Sequence, residues 1–254
     1  MNKAIQLIRS LVRSTGYDVK RHIPGERGVD PFQDMCFFLQ GVKNPTIFDV
    51  GANIGQSVDG FKKIFPGSAI HSFEPSPAIY AKLNEHCNGL EGVKTWNAGV
   101  GSREGALPFL ENSVSVMSSF LAPSKTCWGK IEKTTDVKVI TLDSFAHEQN
   151  IEYIHILKSD TQGYDFEVFK GAEGLMRQNK IGMLYFEFIF SDQYKDLPPF
   201  DEVFRFLSER NFVLVSIYKA HIQRNILSWT DMLFINVDYH QRFQQTAAAS
   251  TVKV

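Results

Sequence analysis

The chain has 254 residues, 43% of them hydrophobic and 22% charged, with a formal net charge of −1. That suits one domain with a core of ordinary size and gives no strong electrostatic case for binding nucleic acid or an anionic membrane. The three cysteines, Cys36, Cys87 and Cys127, form no CxxC or Cys/His cluster, so neither a disulfide framework nor a zinc site is expected, and a reduced, cytoplasmic compartment is the default. No apolar run approaches the roughly 18 residues of a membrane-spanning helix.

Residues 2–13, NKAIQLIRSLVR, place Ala4, Ile5, Leu7, Ile8, Leu11 and Val12 at helical spacing among Lys3, Arg9 and Arg13. Such a segment suits a helix capping the domain's own core, the reading adopted here, and it also has the composition of a helix that docks on a membrane surface. The middle of the chain alternates. Strands are expected at 46–50, 69–73, 93–97, 153–159, 182–190, 212–218 and 231–237, with helices at 54–65, 76–87, 164–178 and 200–210 between them. Ser76 followed by Pro77 is a strong helix start. The stretch 100–150 breaks the rhythm and reads as short strands and a loop, a hairpin-like insertion over one end. The end, QQTAAASTVKV, lacks periodicity and reads as a loose tail. The alternation predicts an α/β fold, a mostly parallel sheet covered on both faces.

Ligands of such sheets sit beyond the carboxyl ends of the strands. The candidates are therefore Asp49 to Ser57, Glu74 to Ser76, Asn97 to Gly101, Lys158 to Tyr164, and Glu187. In IFDVGANIGQS, Gly51 and Gly55 allow a sharp turn and bring backbone N–H groups to a ligand. The loop lacks the third glycine of a dinucleotide-binding GxGxxG and the Gly-Lys-Ser/Thr of a P-loop. Asp49 is a poor neighbour for pyrophosphate and a good one for an ammonium beside a sulfonium. Glu74 ends the next strand, where a carboxylate can accept both hydroxyls of a ribose. Together they suggest a nucleoside without phosphates that carries a cationic amino acid, which describes S-adenosylmethionine.

DVGANIGQS, FEPSP, NAGVG, VITLDSF and LKSDTQGYDFEVFKGAEGL, in that order from about Ile47 to Leu175, resemble the successive motifs of FkbM-type methyltransferases. SWTDMLFIN and GVDPFQDM fit the same family more loosely. The resemblance implies a Rossmann-like methyltransferase fold with a seven-stranded sheet, S-adenosylmethionine as donor and a hydroxyl as acceptor. Acceptors of the family include sugars, glycans and small-molecule natural products. One departure stands out: the family commonly has an acidic residue before Gly163, where this chain has Gln162. The domains expected are an N-terminal helical cap at 1–45, a methyltransferase domain at 46–240 and a tail at 241–254.

Methyl transfer to an alcohol needs alignment and a proton acceptor. Lys158 and Asp160 are two apart on one strand and share a face, and Glu187 lies on the next strand, so these three are the expected catalytic group. The expected donor-binding residues are Asp49, Gly51, Asn53, Gly55, Ser57, Glu74, Pro75, Asn97, Ala98 and Asp160. A divalent ion on Asp160 and Glu187 would be compatible with oxygen ligation; the metal-free reading is adopted because of Gln162. His71 and His155 are expected as hydrogen-bonded core histidines, and His221 lies in a loop within reach of a substrate. A non-catalytic module that keeps the fold, and a nicotinamide dehydrogenase, are the rival readings. Asp49 and Glu74 argue against the first, and the missing third glycine against the second.

Overall fold

The computed structural model describes residues 3–17 and 26–251. The N-terminal segment gives helix α1 (Lys3–Ser14) and helix α2 (Pro31–Phe38). Asp30 caps α2 by accepting from the N–H groups of Phe32 and Gln33, and Pro31 occupies its first turn. The two helices differ in packing. Phe32 of α2 lies 5.4 Å from the ring of Phe61, whereas Ile5, Leu7, Ile8 and Leu11 of α1 are exposed. The helix that covers the core is therefore α2, and the apolar stripe of α1, expected to cap it, stays exposed. Asn2 of the expected helix lies outside the described residues.

TIFDV and AIHSF form β1 (Thr46–Val50) and β2 (Ala69–Phe73), with α3 (Gln56–Ile64) between them and α4 (Pro77–His86) after them. Next come β3 (Val93–Trp96), β4 (Gly99–Val100), β5 (Gly105–Asn112), β6 (Ile131–Ile140), α5 (Leu142–Glu148) and β7 (Ile154–Ser159). The expected helix over 164–178 is broken at Gly171–Ala172 into α6 (Asp165–Lys170) and α7 (Glu173–Arg177). The chain closes with β8 (Ile181–Ile189), α8 (Phe200–Ser208), β9 (Phe212–Ile217), β10 (His221–Gln223), β11 (Ile226–Asn236) and α9 (Val237–Thr251). Helix α9 occupies most of the segment read as a loose tail; its alanines are strong helix formers. Residues 252–254 lie outside the described residues.

The main sheet runs β10-β11-β8-β7-β1-β2-β3, with β9 also paired to β11. Strands β8, β7, β1, β2 and β3 are parallel, and β11 runs antiparallel to β8. It has eight strands where the resemblance implies seven, because the long β11 pairs with β10 near its start and with β9 near its end. Strands β4, β6 and β5 form a second, three-stranded sheet, the insertion anticipated over 100–150. One face of the main sheet packs Phe48, Leu157, Phe169 and Phe186 under α5 to α8. The other packs Ile47, Ile156, Phe61 and Leu83 under α2, α3, α4 and α9. Burying each such side chain contributes roughly 1.5–3 kcal/mol. Among the described residues no helix is long and apolar enough to cross a membrane.

His155 accepts from the backbone N–H of Thr46 at 3.0 Å, as a core histidine should. His71 is also in the core, but its Nδ1 has no hydrogen-bond partner. Its ring stacks on Trp96, and burial holds its pKa down at about 4, so it stays neutral.

Candidate active site

Strand β1 is flanked by β2 on one side and β7 on the other, so the chain leaves it at a point where the strand order reverses. Crevices at such points lie beyond the carboxyl ends of the strands. A cavity of about 270 Å³ opens there. Its walls come from the loop after β1, the end of β2, Ala98 to Val100, the turn after β7, and Phe109, Val116 and Phe120 of the inserted sheet and its loop.

Gly51 takes a left-handed φ of 75°, and a Cβ there would run into the carbonyl oxygen of Asp160. The glycine thus lets the β1 loop press against the β7 turn. The N–H groups of Gly51 and Ala52 both donate to Phe73 O at 3.0 Å, which ties the same loop to β2. Gly55, at φ 104°, sits at the N-cap of α3 outside the cavity lining.

Glu74 is 5% exposed, lines the cavity and joins two loops. One carboxylate oxygen accepts from the N–H of Asn53 at 3.0 Å and the other from the N–H of Ser76 at 2.9 Å. Burial raises its pKa to about 7 despite these bonds and the nearby Lys158, which lower it. Asn97 braces the same loop from outside: its Nδ2 donates to the carbonyls of Glu74 and Pro75 at 2.9 and 3.0 Å. The Ser76 hydroxyl donates to Glu111 at 2.7 Å and so fastens the inserted sheet beside the cavity.

Asp49 is wholly buried and does not line the cavity. It pairs across strands with Lys158, in register, with Lys158 Nζ 3.0 Å from its Oδ1. Its other oxygen is buried without a hydrogen-bond partner. Lys158 does line the cavity, and its Nζ also donates to Gly51 O at 3.2 Å and lies 3.8 Å from Asp160 Oδ2. Burial alone would pull the Lys158 pKa down; Asp49 and Asp160 outweigh it and hold it above the ordinary lysine value. Asp49 therefore acts on the cavity through a lysine that it keeps charged.

Asp160 is the exposed member of this group, with 43% of its side chain open. Its second oxygen accepts from Gln162 Nε2 at 3.1 Å, and the same nitrogen donates to Glu187 Oε1 at 3.3 Å. Glu187 stands outside the cavity lining. Burial first, then Asp160, Asp165 and Asp231, push its pKa above the ordinary carboxylate value. Asp231 lies directly across from Glu187 on β11 and accepts from Tyr185 Oη at 3.0 Å. Among the described residues no group of three or more His, Cys, Asp or Glu side chains is arranged to hold a metal ion.

Of the residues expected from the sequence, Gly51, Asn53, Ser57, Glu74, Pro75, Ala98, Lys158 and Asp160 share the cavity wall. Asp49, Gly55, Asn97 and Glu187 support it from behind. Gln162, from the candidate stretch Lys158 to Tyr164, lines the cavity too, whereas Asp231 and the apolar Phe109, Val116 and Phe120 were not among the expected site residues. His221 stacks on Trp229 with centroids 4.7 Å apart, next to Asp231 on the neighbouring strand.

A mostly parallel sheet with helices on both faces and a cavity at its switch point is a doubly wound, Rossmann-like α/β arrangement. The profile of the methyltransferase FkbM domain matches residues 49–214. The match covers more than half of the chain, and the protein belongs to that family. It is 22% identical over 197 residues to the 2-O-methyltransferase NoeI of Sinorhizobium fredii, spanning 72% of this chain and 79% of the relative. It is 30% identical over 171 residues to the methyltransferase sdnD of Sordaria araneosa, spanning 56% and 66%. An rRNA methylase from Streptococcus thermophilus superposes with a TM-score of 0.47 at 12% identity, covering 82% of this chain and 97% of that one.

Proposed function

We propose that the protein is an S-adenosylmethionine-dependent O-methyltransferase acting on a hydroxyl of a sugar, glycan or small-molecule natural product. The observation that carries this reading is a cavity whose lining includes both the Glu74 carboxylate and Asp160. The cavity fits the donor's chemistry: a carboxylate for ribose hydroxyls, a close backbone turn at Gly51, and apolar walls at Phe73, Ile79 and Phe109. The name of the relative NoeI describes 2-O-methylation, which supports oxygen as the acceptor atom.

S-adenosylmethionine, when bound, supplies a methyl group on a positively charged sulfur. Glu74 orients the nucleoside by accepting from its hydroxyls. Phe109, Val116 and Phe120 cover the cavity and reduce its water. Lys158 holds one oxygen of Asp160 and Gln162 the other, which fixes the carboxylate at the cavity edge. Asp160 takes up the proton of the acceptor hydroxyl as that oxygen bonds to the methyl carbon and the carbon–sulfur bond breaks. Positioned groups of this kind contribute about 10²–10⁴ in rate.

The net charge of −1 favours uncharged acceptors over nucleic acid. The three cysteines are free, which suits the reducing cytoplasm. Incubation with donor carrying a labelled methyl group, against panels of saccharides and small-molecule alcohols, should give a singly methylated product by mass spectrometry. A methylated amine or carbon in place of an ether would overturn the O-methyl assignment.

A further inference from the structure

Gln162 lines the cavity beside Asp160, and its amide does more than hold one oxygen of that carboxylate. Its backbone is left-handed, at φ 55°, followed by Gly163 at φ 88°, so the chain doubles back after β7. This turn delivers the amide between two carboxylates from adjacent parallel strands, β7 and β8. Nε2 has two hydrogens and two acceptors, Asp160 Oδ1 at 3.1 Å and Glu187 Oε1 at 3.3 Å. The amide's orientation is set from the other side: Tyr194 Oη lies 3.1 Å from Gln162 Oε1, and also 3.0 Å from Met117 O. Ser119 Oγ donates to the Gln162 carbonyl at 2.9 Å, which fixes the backbone too. Tyr194 is 2% exposed, so this support is built into the core.

The spacing has a chemical meaning. Oxygens around an octahedral Mg²⁺ or Mn²⁺ with bonds near 2.0–2.1 Å sit about 3 Å from one another. The Gln162 nitrogen lies at nearly that distance from each of the two carboxylate oxygens, but it is a donor and not an acceptor. An N–H donor cannot ligate a cation; it can draw two carboxylates together, as a cation would.

We propose that Gln162 is a positioning residue whose amide takes the place of a divalent cation between Asp160 and Glu187. It thereby holds Asp160 at the cavity edge and makes the acceptor site metal-independent. The assignment of Asp160's role rests on the methyl-transfer reading; the cation-mimicking clamp does not.

Gln162→Glu replaces the donor by a third carboxylate in the same volume. Mn²⁺ binding, followed by calorimetry and by the electron paramagnetic resonance signal of the bound ion, should be at least about tenfold tighter for Q162E than for the wild type. Mn²⁺ should raise the melting temperature of Q162E and leave that of the wild type unchanged. If Q162E alone does not fold, Mn²⁺ or the second change Glu187→Gln should restore folding, because each relieves the crowding of three carboxylates. Equal Mn²⁺ affinity of wild type and Q162E, or a Q162E chain that neither addition restores, overturns the proposal. S-adenosylhomocysteine binding is measured on the same wild-type sample. Its failure would sink the functional reading and leave the Mn²⁺ comparison intact.

Discussion

Glu74 offers the sharpest perturbation, because each of its oxygens accepts one backbone N–H and keeps a lone pair for a ligand, and its ionisation lies near neutrality. Glu74→Ala removes a buried carboxylate that accepts from Asn53 N and Ser76 N. On the account above it also removes the acceptor for the donor's ribose. Losing charge-assisted hydrogen bonds of this kind costs about 1–3 kcal/mol, or roughly 5- to 150-fold in affinity. Calorimetry with S-adenosylhomocysteine at pH 8 should read that loss. The pH dependence carries the sign. Burial raises the folded pKa of Glu74 to about 7 from the ordinary 4.5. A carboxyl raised in this way favours the protonated folded state, so its stabilising contribution is present below the unfolded value and lost as pH rises towards about 7. Ligand binding runs the other way, since hydroxyl donors prefer the ionised form. The ionised fraction is about 0.9 at pH 8 and about 0.1 at pH 6 for such a pKa, so wild-type affinity should fall nearly tenfold over that range. Glu74→Ala should show no such slope. A flat wild-type profile, or a Glu74→Ala affinity within about twofold of the wild type, would refute the placement of the ribose.

Asp160→Asn keeps the shape and removes the charge; kcat should fall by roughly 10²–10⁴ with donor affinity little changed, as read by steady-state kinetics against calorimetry. Asp49→Ala leaves Lys158 charged and buried beside only the more distant Asp160, and urea unfolding should show a loss of about 3–5 kcal/mol. Removal of residues 1–25 spares Arg27 and Gly28, which contact the buried Asp34 of α2. We propose that the N-terminal segment helps to build the acceptor pocket; that truncation should then lower acceptor turnover more than donor affinity, and equal turnover would exclude the segment from the reaction.

The strands were legible because their apolar runs end on sharp signals. TIFDV and AIHSF stop where the structure stops β1 and β2, since a buried aspartate or a following Glu-Pro leaves little choice of boundary. The cavity wall followed from strand order alone, because position after a parallel strand fixes which residues meet at the sheet's end. What single positions do was less legible. Asp49 reads as a ligand contact, yet Lys158 stands opposite it in register and takes its charge; cross-strand register over more than a hundred residues is not written in either motif. Gln162 was visible as a departure from the usual acid, but its bridge needs Glu187 from another strand and Tyr194 from a loop. Asp231 stood at the start of an apolar run, and only the antiparallel pairing of β11 with β8 brings it opposite Glu187. Helix α1 carries a clear helical stripe, but periodicity does not say what the stripe packs against.

The central claim is that the donor lies in the cavity between the Gly51 loop and Glu74, with its reacting end towards Asp160. A crystal structure with S-adenosylhomocysteine tests it directly. The account predicts ligand density along that cavity, with ribose hydroxyls on the Glu74 carboxylate and the sulfur on the Asp160 side. Density in the neighbouring cleft lined by Trp96, Lys138 and Glu148, or a ribose out of reach of Glu74, would contradict it.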